Sequence, residues 1–131
     1  MKTIYDLRSY MVRENKLQDF INFYGEKALP LIKKTLKDKG VLVGHWITQQ
    51  REVVDLDTRK SETMKGVEVN YMLAFDNRTD HDKYWEDFLR AFSKYQAEYN
   101  TLCYKMDNRV LESTKYNPID SIRSFKKITE I

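Results

Sequence analysis

The amino-acid sequence predicts an α+β protein of the ferredoxin-like class, with a four-stranded antiparallel sheet and both long helices on one face. Three observations predict this class. Segments with alternating apolar residues and segments with apolar residues at helical spacing follow one another as strand, helix, strand, strand, helix, strand (βαββαβ). The 131 residues fit one domain. The composition, 41% hydrophobic and 33% charged, is typical of a globular chain.

The first strand and the first helix have the clearest patterns. Thr3–Met11 alternates and carries large side chains on both faces, neither of which suits a plain solvent face. Apolar spacing predicts a helix from Asn15 to about Lys39, with Asn15 as its N-terminal cap and Gly40 as its C-terminal stop. Pro30 lies inside this helix and predicts a kink or a break, because proline removes one backbone hydrogen bond.

The second and third strands are predicted at Val41–Gln50 and Val67–Asp76. The polar connection between them, residues 51–66, is long, and we interpret it either as a mobile connection or as an extended hairpin arm. The second long helix is predicted at Thr79–Phe92, where Thr79 and Asp82 have the spacing of a capping box.

The last elements follow this helix directly. A further helical piece is predicted at Lys94–Tyr104 and a fourth strand at Arg109–Tyr116, ended by Pro118. Residues 1–118 therefore form the domain. Residues 119–131 carry widely spaced apolar side chains, and we expect an accessory tail that packs on the body or on a partner.

Charge and cysteine content exclude several classes of protein. The net charge is only +3, from 23 basic and 20 acidic residues that are interspersed, so we expect no nucleic-acid partner. Cys103 is the single cysteine and cannot form an internal disulfide, which fits a reducing compartment. No apolar run approaches the ~20 residues of a membrane span, and the N-terminus lacks the apolar core of a signal peptide. We expect a cytoplasmic protein without a membrane partner.

The sheet face away from the helices predicts an oligomer. In the predicted fold this face is bare, yet its strands carry large side chains there. A second copy related by a two-fold axis is the simplest cover. The sequence therefore predicts a homodimer.

Four segments resemble a known family, and they lie between Ile4 and about Phe92, with a weaker match to Pro118. They are "IYDLRSYMV", "KLQDFINFYGEKALPLIKK", "LVGHWIT" and "VNYMLAFDNRTDHDKYWEDFLR". Together they resemble the NIPSNAP family of dimeric α+β barrel proteins. This resemblance implies a homodimer whose sheets pack face to face, and a cavity between sheet and helices in each subunit. The wider superfamily includes cyclases, isomerases, cofactor-free oxygenases and haem-degrading enzymes, as well as members that only bind ligands.

His45 is the first candidate for chemistry. In a regular strand it shares its face with Val43 and Ile47, so it points into a buried space, where its near-neutral pKa suits proton transfer. Tyr71 lies on the third strand and is a neighbour of His45 if the two strands pair. The functional hypothesis is a His45–Tyr71 catalytic pair. The alternative is a buried histidine bonded to a tyrosine hydroxyl for structural reasons.

The first strand carries a second candidate group, Asp6, Arg8 and Tyr10, on one face. Arg8 is suited to hold an anionic substrate group, whereas a structural alternative, which we favour, has Asp6 and Arg8 bridge the dimer interface. Aromatic side chains are the candidate cavity lining: Tyr10, Tyr24, Trp46, Trp85 and Phe88.

Other reactive side chains have weaker support. His81 begins the second long helix beside two aspartates and is expected to be exposed. Cys103 is expected to be a buried small residue. The spacing of His45 and His81 does not form a metal site, and no glycine-rich phosphate loop is present, so we expect neither a metal nor a nucleotide cofactor.

Two functional hypotheses follow. The first is a protein that binds or converts a small, mostly apolar or aromatic molecule without a cofactor, by cyclase, isomerase or oxygenase chemistry if it is an enzyme. The second is a non-catalytic dimeric module for protein interaction or ligand binding.

Overall fold

The predicted ferredoxin-like α+β fold is confirmed by a computed structural model, which describes residues 3–63, 67–119, 121–123 and 125. In chain order the strands are β1 (Ile4–Val12), β2 (Gly40–Ile47), β3 (Glu52–Val54), β4 (Ser61–Thr63), β5 (Val67–Phe75) and β6 (Cys103–Glu112). The helices are α1 (Leu17–Phe23), α2 (Leu29–Leu36), α3 (Arg78–Phe92) and α4 (Gln96–Leu102). A π-helical turn, Tyr24–Ala28, joins α1 to α2, and a 3₁₀ turn, Ser93–Tyr95, joins α3 to α4.

The main sheet has the strand order β2-β5-β1-β6, and all three pairings are antiparallel. The two central strands are therefore β1 and β5, and their side chains alternate between a helix-covered face and an outer face. The main core lies between the sheet and the helices and is unusually aromatic. Its buried aromatic members are Tyr10, Phe20, Phe23, Tyr24, Tyr71, Phe75, Tyr84, Trp85, Phe88 and Phe92.

The first helical segment continues past Pro30 without a break. The backbone N–H of Leu29 bonds to the carbonyl oxygen of Tyr24, five residues back, which defines the π turn. Pro30 sits just after that turn, in the first turn of α2. The wider turn is the local distortion that the proline predicted, and it keeps the helix running instead of splitting it.

The predicted limits of this helix are wrong at both ends. Asn15 has a positive φ of 61° and does not cap the helix; Lys16 holds the cap position without a side-chain bond. The helix ends at Leu36, and Lys37 makes the exit with a φ of 49°. Gly40 is the first residue of β2 instead of a helix stop. A β-carbon there would lie 2.7 Å from the carbonyl oxygen of Ala74, so the strand pairing itself requires glycine.

The helical region after β5 also differs from the prediction. Asn77, and not Thr79, caps α3, and its side chain accepts a hydrogen bond of 2.8 Å from the backbone N–H of Asp80. The chain changes from helix to strand at Cys103, so β6 begins six residues before the predicted strand at Arg109 and ends earlier, at Glu112. β6 pairs with β1 along most of its length.

The connection between β2 and β5 contains a hairpin. Strand β3 pairs with β4 in a separate two-stranded sheet, with Val54 opposite Ser61. Of the two interpretations of this connection, the hairpin arm is confirmed for the described part; residues 64–66 lie outside it. Val53 and Val54 on this arm are 49% and 41% exposed.

One end of the outer sheet face is covered by the segment after β6. Ile122 is 2% exposed and packs with Val41 and Ala74 on the outer face. Phe125 meets the ring of Tyr5 edge-on at 6.1 Å. The described part of the predicted tail therefore packs on the body of its own chain; residues 120, 124 and 126–131 lie outside the described residues.

Candidate functional site

A cavity of about 100 Å³ lies between the sheet and the helices. Its walls come from β1, β5, the helical region that contains α1, the π-helical turn and α2, and from α3, with contributions from α4 and the first part of β6. The aromatic residues that line it are Tyr10, Phe20, Phe23, Tyr24, Tyr71, Trp85, Phe88, Phe92 and Tyr99. Non-aromatic lining comes from Arg8, Ala28, Ile32, Leu89, Gln96 and Met106. We call this space the aromatic cavity.

The π-helical turn positions one wall of the aromatic cavity. Tyr24 and Ala28, at the two ends of the turn, are each 7% exposed and both face this space. A π turn adds a residue to the helical repeat, so the side chains after it rotate relative to a regular helix. Such turns are frequent at functional sites, which makes this segment a reasonable place for a binding wall.

Arg8 and Asp6 form a buried ion pair at one side of the cavity. The Nε of Arg8 donates to Oδ1 of Asp6 at 2.7 Å, and Nη2 donates to Oδ2 at 3.3 Å. The guanidinium also lies 3.7 Å above the ring of Trp85. Burial acts to lower the pKa of Arg8, but the hydrogen bond and the charge of Asp6 outweigh it, so the pKa is raised and the charge is kept.

Asp6 is fully buried and has two further donors from α3. Nε1 of Trp85 donates to Oδ2 at 2.8 Å, and Nε2 of His81 lies 2.6 Å from the same oxygen. The prediction that Asp6 and Arg8 bridge a dimer interface is wrong, because both side chains face the helices. Their contacts tie the first strand to α3 and fix the position of the guanidinium.

The prediction that His81 is exposed is also wrong. Its side chain is 6% exposed, and its second ring nitrogen, Nδ1, lies 2.8 Å from Oδ1 of Asp82. Both ring nitrogens thus face carboxylate oxygens, which are hydrogen-bond acceptors. Nothing in the local sequence separates this histidine from an exposed one, since its main partner, Asp6, lies 75 residues away.

Tyrosine hydroxyls supply most of the remaining polar atoms around the cavity. Those of Tyr10 and Tyr71 share a hydrogen bond of 3.1 Å. The hydroxyl of Tyr24 is buried without a partner among the described residues. The Tyr99 hydroxyl lies near the Cys103 thiol, a weak partner, but makes no hydrogen bond of ordinary geometry with it.

Burial keeps these tyrosines protonated. It raises the pKa of Tyr10 to about 12 and also raises the pKa of Tyr24, Tyr71 and Tyr99 above the ordinary tyrosine value. It also raises the pKa of the Cys103 thiol to about 12, and that residue is 4% exposed, as the sequence predicted for a buried small residue. The cavity therefore offers neutral hydroxyl donors and one guanidinium. It does not offer a thiolate or a phenolate nucleophile from these residues.

His45 faces the helices, but a β-bulge changes its neighbours. Leu42 pairs with Leu73 and Gly44 pairs with Met72, so Val43 is an extra residue between them. Val43 packs with the outer cluster, and the prediction that it shares the face of His45 is wrong.

The predicted pairing of His45 with Tyr71 across the two strands is present in the register. The imidazole stacks on the ring of Tyr24, with centroids 3.9 Å apart, and its Nε2 is buried without a partner among the described residues. Burial lowers the pKa of His45. His45 packs against Tyr24, which lines the cavity, but His45 itself is not part of the lining. The catalytic role of His45 and Tyr71 stays a prediction.

Trp46 does not line the aromatic cavity, so that prediction is wrong. It pairs with Asn70, whose side chain bonds to Ser9 on the outer sheet face, and its indole is 47% exposed. The indole ring covers Gly44, where a β-carbon would lie 2.2 Å from it. Four other predicted binding residues, Arg8, Tyr10, Tyr24 and Trp85, do line the cavity. The lining residues Phe20, Tyr99 and Gln96 were not singled out in the sequence.

The fold and the cavity define the class of protein: a ferredoxin-like α+β protein with an aromatic cavity between sheet and helices. No family model matches the chain, and no curated protein matches it. Several solved structures do share its fold, and NIPSNAP proteins are prominent among them. The resemblance to the NIPSNAP family is therefore confirmed at the level of the fold.

Three solved structures illustrate this similarity. An uncharacterized NIPSNAP-like domain protein from Burkholderia xenovorans has 15% identity and a TM-score of 0.67, with 92% of each chain covered. A NIPSNAP family protein from Agrobacterium tumefaciens has 20% identity and a TM-score of 0.64, covering 89% of this chain and 98% of the other. A dimeric ferredoxin-like protein from an uncultured marine organism has 13% identity and a TM-score of 0.57, covering 91% and 100%. Identities this low establish a shared fold and nothing about activity.

In the described part of the chain, no helix has the length and apolar character needed to cross a membrane.

Proposed function

We propose that this protein binds a small, mostly apolar or aromatic molecule in the aromatic cavity, without a metal or nucleotide cofactor. One observation carries the proposal: a space of about 100 Å³ is walled by nine aromatic side chains and retains buried hydroxyls that lack partners. Two of these hydroxyls, those of Tyr24 and Tyr99, belong to residues that line the cavity, and a buried polar group without a partner costs about 1–3 kcal/mol. A ligand with a polar group supplies the missing partners.

The chemistry that fits this environment is modest. His45 and Tyr71 remain our first candidates for proton transfer or for orienting the ligand. The burial of His45 favours a neutral imidazole that can accept a proton, and the raised pKa of Tyr71 favours a hydroxyl that donates a hydrogen bond. If the protein is an enzyme, cyclisation, isomerisation or cofactor-free oxygenation is the proposed type of reaction. His45→Ala and Tyr71→Phe are the variants that test this role against any turnover found.

We also propose that the protein works as a cytoplasmic homodimer whose outer sheet faces pack together. Support comes from the apolar side chains left on the outer face and from the dimeric ferredoxin-like protein that shares the fold.

Filling the cavity tests the binding proposal. Ala28 lines the cavity, and Ala28→Leu places a larger side chain in the space that a ligand needs. Neutral aromatic probes such as indole and 2-naphthol should raise the melting temperature of the original protein, because a ligand that binds only the folded state stabilises it. The same probes should have no effect on Ala28→Leu.

Ala97→Leu is the matched control. Ala97 lies on α4, is exposed and does not line the cavity, so its variant should respond to the probes like the original protein. An equal response from Ala28→Leu, or no response from any of the three proteins, contradicts the proposal.

The alternative of a non-catalytic interaction module has one supporting observation. Exposed apolar side chains follow one another from the end of β2 into the hairpin arm: Trp46, Ile47, Val53, Val54 and Leu56. Absence of ligand binding in the probe experiment would leave this surface as the better candidate.

A further inference from the structure

We propose that the ligand of the aromatic cavity carries a carboxylate, and that Arg8 binds this carboxylate while the aromatic walls hold the apolar body. This inference rests on the proposed function and names its ligand class, a small aromatic or aliphatic monocarboxylate.

Arg8 is the one charged residue among those that line the described cavity. The rest of the lining is aromatic or aliphatic, apart from the side-chain amide of Gln96. The Arg8 side chain is 13% exposed, so little water competes for its charge. An ionic contact in such a poorly hydrated place is stronger than the same contact on a wet surface.

The guanidinium is fixed before any ligand arrives. Asp6 holds Nε and Nη2, and the ring of Trp85 supports the plane of the group from one side. The remaining terminal nitrogen, Nη1, has no hydrogen-bond acceptor among the described residues. A positioned donor loses little conformational freedom on binding, which favours affinity.

The negative charge of Asp6 does not act on Arg8 alone. Its carboxylate also accepts from Trp85 and faces His81, so its negative charge is shared among three donors. A carboxylate ligand fits this arrangement, because its two oxygens accept hydrogen bonds and its charge matches the guanidinium.

Three tyrosines line the cavity together with Arg8. Tyr71 lies opposite Arg8 in the pairing of β1 with β5, Tyr10 is two residues further along the same strand face, and Tyr99 comes from α4. The buried Tyr99 hydroxyl lacks an ordinary hydrogen bond. Protonated hydroxyls beside a guanidinium are donors for a carboxylate oxygen. A neutral hydrocarbon would leave the Tyr99 hydroxyl without a partner among the described residues.

The test compares a carboxylate with its neutral amide. The chain has two tryptophans, so Trp46→Phe leaves Trp85, in van der Waals contact with the Arg8 guanidinium, as the single tryptophan reporter, excited at a wavelength where tyrosine does not absorb. We expect phenylacetate to quench or shift Trp85 emission with a Kd at least about tenfold lower than that of phenylacetamide. Added sodium chloride should weaken phenylacetate binding and leave phenylacetamide binding unchanged.

The Arg8→Gln substitution in the Trp46→Phe background tests whether Arg8 causes the preference for phenylacetate. We expect the ratio of the two Kd values, about tenfold or more in the Trp46→Phe protein, to fall to about one in this variant. Equal Kd values for the two probes in the Trp46→Phe protein, or a preference that survives Arg8→Gln, overturn the carboxylate proposal.

The same data separate the two proposals. If both probes bind equally, the ligand-binding proposal holds and only the carboxylate proposal fails. If neither probe binds, both proposals fail. If Arg8→Gln does not fold, the probe comparison and its salt dependence in the Trp46→Phe protein still decide the question.

Discussion

The buried carboxylate of Asp6 organises the site at the scale of single residues. It receives hydrogen bonds from Arg8 and Trp85 and contacts His81, although its own strand contains only one of these residues. The sequence pointed to the Asp6–Arg8 pair because the two lie on one strand face. It did not reveal the partners on α3, which lie 75 and 79 residues away and are set by tertiary packing.

Asp6→Asn should lower the free energy of unfolding by about 3 kcal/mol, because it leaves buried cationic and N–H groups without their full partner. Urea unfolding followed by circular dichroism measures the change. Asp82→Asn is the control, since Asp82 contacts the other nitrogen of His81 but is 60% exposed. Its effect should be much smaller. Equal losses from the two variants would show that the buried carboxylate has no special role.

His45 should make stability depend on pH. Burial lowers its pKa in the folded state below the ordinary 6.5, so the unfolded chain binds more protons between the two values. Above about pH 6.5, His45 therefore does not reduce the free energy of unfolding. Below that pH, the free energy of unfolding falls as the pH drops toward the folded-state pKa of His45.

Urea unfolding at pH 7.5 and at pH 5.0 measures this dependence. His45→Gln should lose less stability than the original protein between these two pH values, because the variant lacks the titrating group. An identical pH dependence in both proteins would contradict the prediction.

At the scale of elements, glycine has opposite roles at two positions. Gly40 lies at the start of β2. A β-carbon at this position would lie 2.7 Å from the backbone oxygen of Ala74 and 2.8 Å from the ring of Phe75. In Gly25, inside the π-helical turn, a β-carbon would meet nothing within 4 Å.

Gly40→Ala should therefore reduce stability by about 1–3 kcal/mol, since the close contact forces the two strands apart. Gly25→Ala should raise stability by about 0.4–1 kcal/mol, because alanine restricts the unfolded chain and fits the helical backbone. Thermal and urea unfolding of the two variants provide the measurement. Stabilisation by Gly40→Ala, or a loss from Gly25→Ala, would contradict this assignment.

Element types were predictable from periodicity, whereas element ends were not. The alternation of β1 and the helical spacing of α3 depend on many residues and survive local exceptions. Caps depend on a single backbone conformation. Asn15 and Thr79 are residue types that cap helices well, yet Lys16 and Asn77 hold those positions because the neighbouring strands fix where the chain turns. The start of β6 at Cys103 was missed for the same reason, since its pairing with β1 overrides the local helical pattern.

At the scale of the whole molecule, the outer sheet face is the surface on which the proposed homodimer depends. The segment containing Ile122 and Phe125 covers one end of this face. Near the centre, Met72 lies between Leu7 and Gly44, and both Met72 and Leu7 remain partly exposed. An apolar centre on an otherwise open sheet is the surface that a second copy would cover.

Sedimentation at micromolar concentration should show a dimer for the original protein and a monomer for Met72→Glu, because a charge at the centre of a dimer interface is buried without a partner. Val53→Glu, on the hairpin arm and away from the sheet face, should remain a dimer. A stable monomer of the original protein, or a Met72→Glu protein that still dimerises, would contradict the homodimer proposal.

Six of the 15 residues that line the cavity were singled out from the sequence. Strand alternation pointed to Arg8, Tyr10 and Tyr71, and the recurrence of aromatic side chains on the helices pointed to Tyr24, Trp85 and Phe88. Phe20 and Tyr99 also line it, but helical spacing alone does not distinguish a core aromatic from a cavity wall. That distinction depends on how the helices pack on the sheet, which the sequence pattern does not contain.

The bulge at Val43 determines which of two adjacent side chains reaches the interior. A strand in uninterrupted alternation through this point would turn the indole of Trp46 inward and the imidazole of His45 outward. Gaining or losing one residue here would thus place an indole, which does not titrate, beside Tyr24 instead of a titratable imidazole, with no amino-acid replacement at either position. Related chains that differ by such a length change can share the same motif letters and still have interiors of different chemistry.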